Sequence, residues 1–348
     1  MHSQHLVQVR NACEARDLAR VRQLFAQYSL DADDATEALR DAPVKRSLYR
    51  FLLESGANAN AIHIRQVAWS GDAGEILKML REYQYDFKAE SHRILQDFAD
   101  DPPTLKFLLD QGADISRTDT QRFYDGFHLP IGAADHSLHV LDNVAANGDT
   151  TLFDYLVNRG ADPSHSLALH SASRCPDASK TKAMLNHLLD KHGMDINADT
   201  AALRNIPFDA PDSGTPLCSA VYNRNLAAVE ELLRRGARLG PSDKSYADPV
   251  ITAIGLEPYQ TFLPALEPLL RAGADTGEAL RYAVQSNNLE AAEICLRFGT
   301  DPAPVLDRGK DEQNSAAAAE DVIEDRSAQH ESDPMIRLLK SYLNGDHD

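Results

Sequence analysis

Thirteen histidines, four cysteines and 53 acidic residues supply the side chains from which metal or acid–base chemistry is built. His136 and His139 stand three apart at a helix start, while His187 and His192 stand five apart, a separation that does not put both on one helical face. Neither pair has a cysteine or carboxylate beside it in a ligand pattern that zinc sites use, so no metal site is expected. Cys13, Cys175, Cys218 and Cys295 lie far apart and form no CxxC pair. They read as small buried thiols in a reducing compartment rather than as disulfides. Asp33-Asp34 and Asp100-Asp101 are adjacent carboxylates, whose side chains point apart, and both pairs read as solvated charge. Glycine-rich phosphate loops and a GxSxG elbow are absent. No catalytic, cofactor-binding or metal residue is assigned, and no cofactor is expected. An enzyme drawing on His139 and His170 in the histidine-rich middle is the reading with least support.

The elements that would have to position any site are best seen in Thr215 to Ala237, TPLCSAVYNRNLAAVEELLRRGA. Pro216 opens a short helix, at a position where its missing N–H has no partner to lose. Leu217, Ala220 and Val221 give that helix one apolar face, and Asn223-Arg224-Asn225 turns the chain. A second helix then carries Leu226, Val229, Leu232 and Leu233 at spacings of three and four, and Gly236 ends it. Two helices this short cannot hide their apolar faces alone, so the unit must stack on others like it.

Elsewhere the second half recurs as LLESGA (52–57), LLDQGA (108–113), LVNRGA (156–161), LLRAGA (269–274) and, in weaker form, CLRFGT (295–300). Thr215, Pro216, Leu217 and Ala220 with Leu232, Leu233, Gly236 and Ala237 resemble the ankyrin repeat, with Cys218 where that family has histidine. The resemblance covers roughly residues 5 to 305 and implies an all-α solenoid of about nine helix-turn-helix repeats with short hairpin fingers. Leu169, His170 and Ala172 match the L-H-x-A core of the motif, which implies a structural role for His170, bonding to a neighbouring hairpin backbone.

Along the chain, Tyr28, Gly56, Gln84 and Gly112 fall at intervals of 28, shorter than the family period of about 33. Gln84 stands where the capping glycine is expected. The solenoid is expected over 1–304, degenerate at its N-terminal end, with long finger insertions at 117–136 and 194–214. The first finger holds Phe123, Tyr124, Phe127, Leu129 and Ile131; it either folds back on its repeats or presents aromatics to a partner. Residues 305–332 form an acidic linker expected to be mobile. Residues 333–344 read as an N-capped amphipathic helix, which either caps the last repeat or docks a partner from a free tail.

The formal net charge of −18 opposes binding to phosphate backbones and anionic membranes and favours neutral or basic protein partners. No apolar run is long enough to cross a bilayer, and the opening MHSQHLVQVRNACEARD carries charges where a secretory leader is unbroken and apolar. A monomer in the cytoplasm, or alternatively the nucleus, is expected. In the family the resemblance names, partners touch the fingers and the ends of first helices. This implies contact residues Trp69, Ser70, Asn147, Tyr222, Asn223 and Gln285 on the concave side, with Phe123, Tyr124 and Phe127 in the first finger. Trp69 and Tyr222 are the expected anchors, although a lone tryptophan is as commonly part of a core. The function expected is a non-catalytic protein–protein interaction scaffold or adaptor; the alternative is a regulatory subunit that blocks one specific enzyme.

Overall fold

The computed structural model describes residues 2–89, 94–115, 136–200, 214–240, 248–255, 261–306 and 333–345. Among them there is no strand. The described residues fall into two compact units. One holds those up to 115 together with 136–140 and Tyr155–Asp162; the other holds Leu141–Asp154 and those from 163 onward.

In the first unit the helices are α1 (His2–Glu14), α2 (Leu18–Tyr28), α3 (Ala32–Asp41), α4 (Arg46–Glu54), α5 (Ile64–Ala68), α6 (Ala73–Glu82) and α7 (Pro102–Asp110). Val9, Val21, Leu24, Leu39, Leu48, Leu52, Ile76, Leu77, Leu80, Leu105 and Leu108 are buried, at the three- and four-residue spacings that leave one apolar stripe per helix. Helices of this length are marginal alone in water. Burying each leucine contributes about 1.5–3 kcal/mol, so packing rather than propensity holds them. The helix α8 (His136–Ala146) begins in the first unit, and α9 (Thr150–Asn158) ends there.

The second unit continues with α10 (Ala168–Ala172), α11 (Ala178–Asp190), α12 (Pro216–Tyr222), α13 (Leu226–Arg234), α14 (Pro249–Ile254), α15 (Leu266–Arg271), α16 (Thr276–Gln285), α17 (Leu289–Arg297) and α18 (Pro334–Asn344). First helices pack on first helices in the order α10, α12, α14, α16, and second helices in the order α11, α13, α15, α17. Each pair is thus sealed only by its neighbours. Met335 and Leu339 of α18 are buried, and α18 packs on α17.

Two turn devices repeat along both units. At the end of most second helices a left-handed residue lets the following N–H reach back five residues: Ala57 to Leu52, Ala113 to Leu108, Ala161 to Leu156, Ala237 to Leu232 and Ala274 to Leu269, all at 3.0–3.1 Å. Glycine takes this position at 56, 112, 160, 236, 273 and 299, whereas Ser29 and Gln84 hold it without being glycine. The first landmark is therefore Ser29 and not Tyr28, and the even spacing of 28 does not extend to it. Gln84 keeps the device, since Tyr85 N–H still bonds to Leu80 O at 3.1 Å.

Between the two helices of a pair, a left-handed residue precedes an Asp or Asn that caps the second helix. The pairs are Arg16-Asp17, Gly148-Asp149, Arg224-Asn225 and Asn287-Asn288. Aspartates expected to be solvated charge take cap roles too. Asp34, buried, accepts from Asp31 N–H in a reciprocal box, and Asp101 caps α7. Helix ends leave backbone N–H groups without intrahelical partners, which is why carboxylates concentrate there.

Candidate functional site

The sequence-selected contact positions lie, where described, at the ends of first helices. Trp69 follows α5 directly and is 78% exposed, so it is not part of the core. Ser70 is half-buried, and its hydroxyl donates to Val67 O at 2.8 Å. Asn147 is exposed just past α8. Tyr222, the last residue of α12, is 43% exposed, while Cys218, Ala220 and Val221 beside it are buried. Gln285 closes α16 and is exposed. Asn223 is engaged structurally: its side-chain amide donates to Ser173 Oγ at 3.1 Å and Ser219 O at 2.8 Å. Phe123, Tyr124 and Phe127 lie outside the described residues.

Groups with latent chemistry are mostly locked. All four cysteines are free and buried, and burial pushes the thiols of Cys13 and Cys218 up to about 11 and of Cys295 up to about 12. Thiols so raised are protonated at neutral pH and poor nucleophiles. His170 is buried and its Nε2 donates to Gly214 O at 3.1 Å. Gly214 is paired twice more, its O accepting from Thr200 N–H at 3.0 Å and its N–H donating to Thr200 Oγ at 2.9 Å. This closes the chain between 200 and 214 at its base.

One cluster escaped the sequence. Asp154 on α9 meets His187 on α11 and His192 just beyond it. His187 Nε2 lies 2.8 Å and His192 Nε2 3.1 Å from the same oxygen, Asp154 Oδ1, and Lys191 Nζ donates to Oδ2 at 2.7 Å. Five residues along an ideal helix would part the two imidazoles. However, α11 ends at Asp190, and the left-handed Gly193 (φ +62°) turns the chain immediately after His192. Helical periodicity does not apply past the last turn, and Gly193 was the available signal. Phe153 makes T-shaped ring contacts with both imidazoles. Partial burial raises the Asp154 carboxyl, but hydrogen bonds from Lys191, His187 and His192 outweigh it and hold the group down at about 2. With Asp154 ionised, each facing Nε2 is the donor.

Stacked helix pairs, left-handed ends to the second helices and Asp- or Asn-capped inner turns give the described residues an all-α, stacked helix-pair architecture, the arrangement that the resemblance to the ankyrin repeat implies. No family model and no curated protein matches the chain. Among solved structures it is similar to the ankyrin repeat domain of Bcl-3, a unique member of the IkappaB protein family, at 18% identity over 67% of this chain and 96% of that one, with a TM-score of 0.40. It is also similar to the human ASB11 ankyrin repeat domain at 17% identity over 60% of this chain and 84% of that one, with a TM-score of 0.41.

Proposed function

We propose that the chain is a protein-interaction module that binds partner proteins through the ends of its first helices, without catalysing a reaction. The observation that carries this reading is the exposure of Trp69 and Tyr222 at equivalent places in their helix pairs, against a background of buried leucines and alanines. Large amphipathic side chains held on rigid helices contribute most to binding energy while losing little conformational freedom. Gln285 supplies a polar contact at the same place in its own pair, and Asn147 one residue further on, at the place of Asn223. Phe123, Tyr124 and Phe127 are proposed as further contacts. The net charge of −18 favours partners with neutral or basic surfaces over nucleic acid. No helix among the described residues is long and apolar enough to cross a membrane.

The test is quantitative affinity purification with the wild-type chain and with Trp69→Ala and Tyr222→Ala, singly and together. The double variant should keep its unfolding free energy in urea within about 0.5 kcal/mol of wild type, as surface changes do, while captured partners fall at least about tenfold. Undiminished capture by the double variant would remove these residues from the interface.

A further inference from the structure

We propose that Asp154, His187 and His192 form a binding site for a divalent transition-metal ion of the zinc class. The donor atoms are already gathered: the two Nε2 atoms and Oδ1 of Asp154 all lie within 4.8 Å of one another, with N···O separations of 2.8 and 3.1 Å. Donors held about 2.0–2.1 Å from a tetrahedral zinc are about 3.3 Å apart, so the two N···O separations need to open by only a few tenths of an ångström. The opening is compatible with how each group is held. His187 and His192 each meet Phe153 in a T-shaped ring contact, whereas the Asp154 side chain is 25% exposed and can move outward.

The donor set also selects the metal. Two imidazoles and one carboxylate oxygen suit zinc, copper, nickel or ferrous iron. Calcium and magnesium need a cage of oxygens, and only one carboxylate is offered here. Lys191 places a positive charge on the second oxygen, which further disfavours an ion held by charge alone. Its own side chain is 57% exposed, so it can withdraw into water when a cation arrives. Coordination uses the Nε2 lone pairs. Each neutral ring then carries its proton on Nδ1, and the two hydrogen bonds to Oδ1 are exchanged for two metal–nitrogen bonds. Three protein donors leave the remaining coordination positions to water.

The competing account is that the carboxylate merely tethers α11 to α9 by hydrogen bonds. Titration of the untagged, chelator-stripped full chain with Zn2+ by calorimetry, and with Co2+ by visible absorption, separates the two. Binding of one equivalent per chain with tetrahedral-type Co2+ bands is expected. Asp154→Asn and His192→Gln should each weaken it at least tenfold, and His63→Gln, at an exposed histidine, should not. Absence of one-equivalent uptake by the wild type overturns the site, as does uptake that survives the double variant His187→Gln/His192→Gln. Should the variants fail to fold, diethylpyrocarbonate labelling of the wild-type chain decides. Zn2+ should shield His187 and His192 at least fivefold, and unchanged labelling of both overturns the proposal.

Discussion

Asn225 does two jobs that substitution can separate. Its Oδ1 accepts from Ala228 N–H at 3.1 Å and so caps α13, while its Nδ2 donates to Ser173 O and Cys175 O, each at 3.0 Å, and to Thr181 Oγ at 3.2 Å. Those acceptors sit on buried residues of the preceding helix pair. Asn225→Asp keeps the cap and adds a charge that a helix N-terminus favours by about 0.3–1 kcal/mol, so capping alone predicts a neutral or stabilising change. Turned against two carbonyls, however, the carboxylate takes the Asn225 donor from Ser173 O and leaves Cys175 O with Thr181 Oγ alone, at a cost of about 1–3 kcal/mol. A net loss is expected. Asn225→Ala should lose that amount and about 1 kcal/mol more for the cap, about 2–4 kcal/mol in all. Asn288 provides a replicate with one acceptor, Ile254 O at 2.9 Å, which also accepts from Thr261 Oγ at 3.3 Å, so Asn288→Asp should lose less. Urea unfolding followed by far-UV circular dichroism measures all three. An Asn225→Asp variant as stable as wild type would refute the assignment of Asn225 as a bridge between helix pairs.

Two glycines in the left-handed region should respond unequally to alanine. At Gly236 (φ +84°) a Cβ meets open space, so only the backbone penalty of about 1–2 kcal/mol applies. At Gly255 (φ +83°) it would also run into the backbone and hydroxyl of Thr261, and a clearly larger loss of urea midpoint is expected; equal losses would show that the Thr261 segment yields freely. Asp248 caps α14 through Val250 and Ile251 N–H, but burial and the nearby Glu278 hold its carboxyl above the usual range despite those bonds. An acid raised in the folded state binds its proton more readily there than in the unfolded chain. Its contribution to stability is therefore full below about pH 4 and falls as pH rises through the elevated value. Asp248→Asn should flatten that part of the stability–pH curve without loss at pH 7, and Asp248→Ala should lose about 1 kcal/mol of cap; an unchanged curve for the asparagine variant would remove the buried charge from the account.

The repeats were legible because their cause is local. Leucines at helical spacing and a glycine after them mark a second helix wherever they occur; Leu232 is buried, Leu233 half-buried and Gly236 left-handed. Ser29 was missed because a left-handed turn is a backbone state that several residues tolerate, and only glycine advertises it. Asp34 was misread because a capping carboxylate looks like any other charge until the helix start is known. The exposure of Trp69 depended on which face of α5 the chain turns outward, and one residue past a five-residue helix has no periodicity to consult. The Asp154 cluster needed a fact that no local pattern holds, namely that α9 and the end of α11 lie side by side. Asn225 reads as a turn former, and the reach of Asn225 and Asn288 into the preceding pair became visible only with both pairs in place.

The ring of bonds joining Thr200, Gly214 and His170 has an implication for how this chain tolerates change. A segment whose two ends are clasped to each other can be lengthened, shortened or exchanged while the helices on either side keep their register. Doubling such a segment costs only about 0.6 kcal/mol in closure entropy. Thr200 and Gly214 are thus held side by side, and α12 starts from a fixed point against α10.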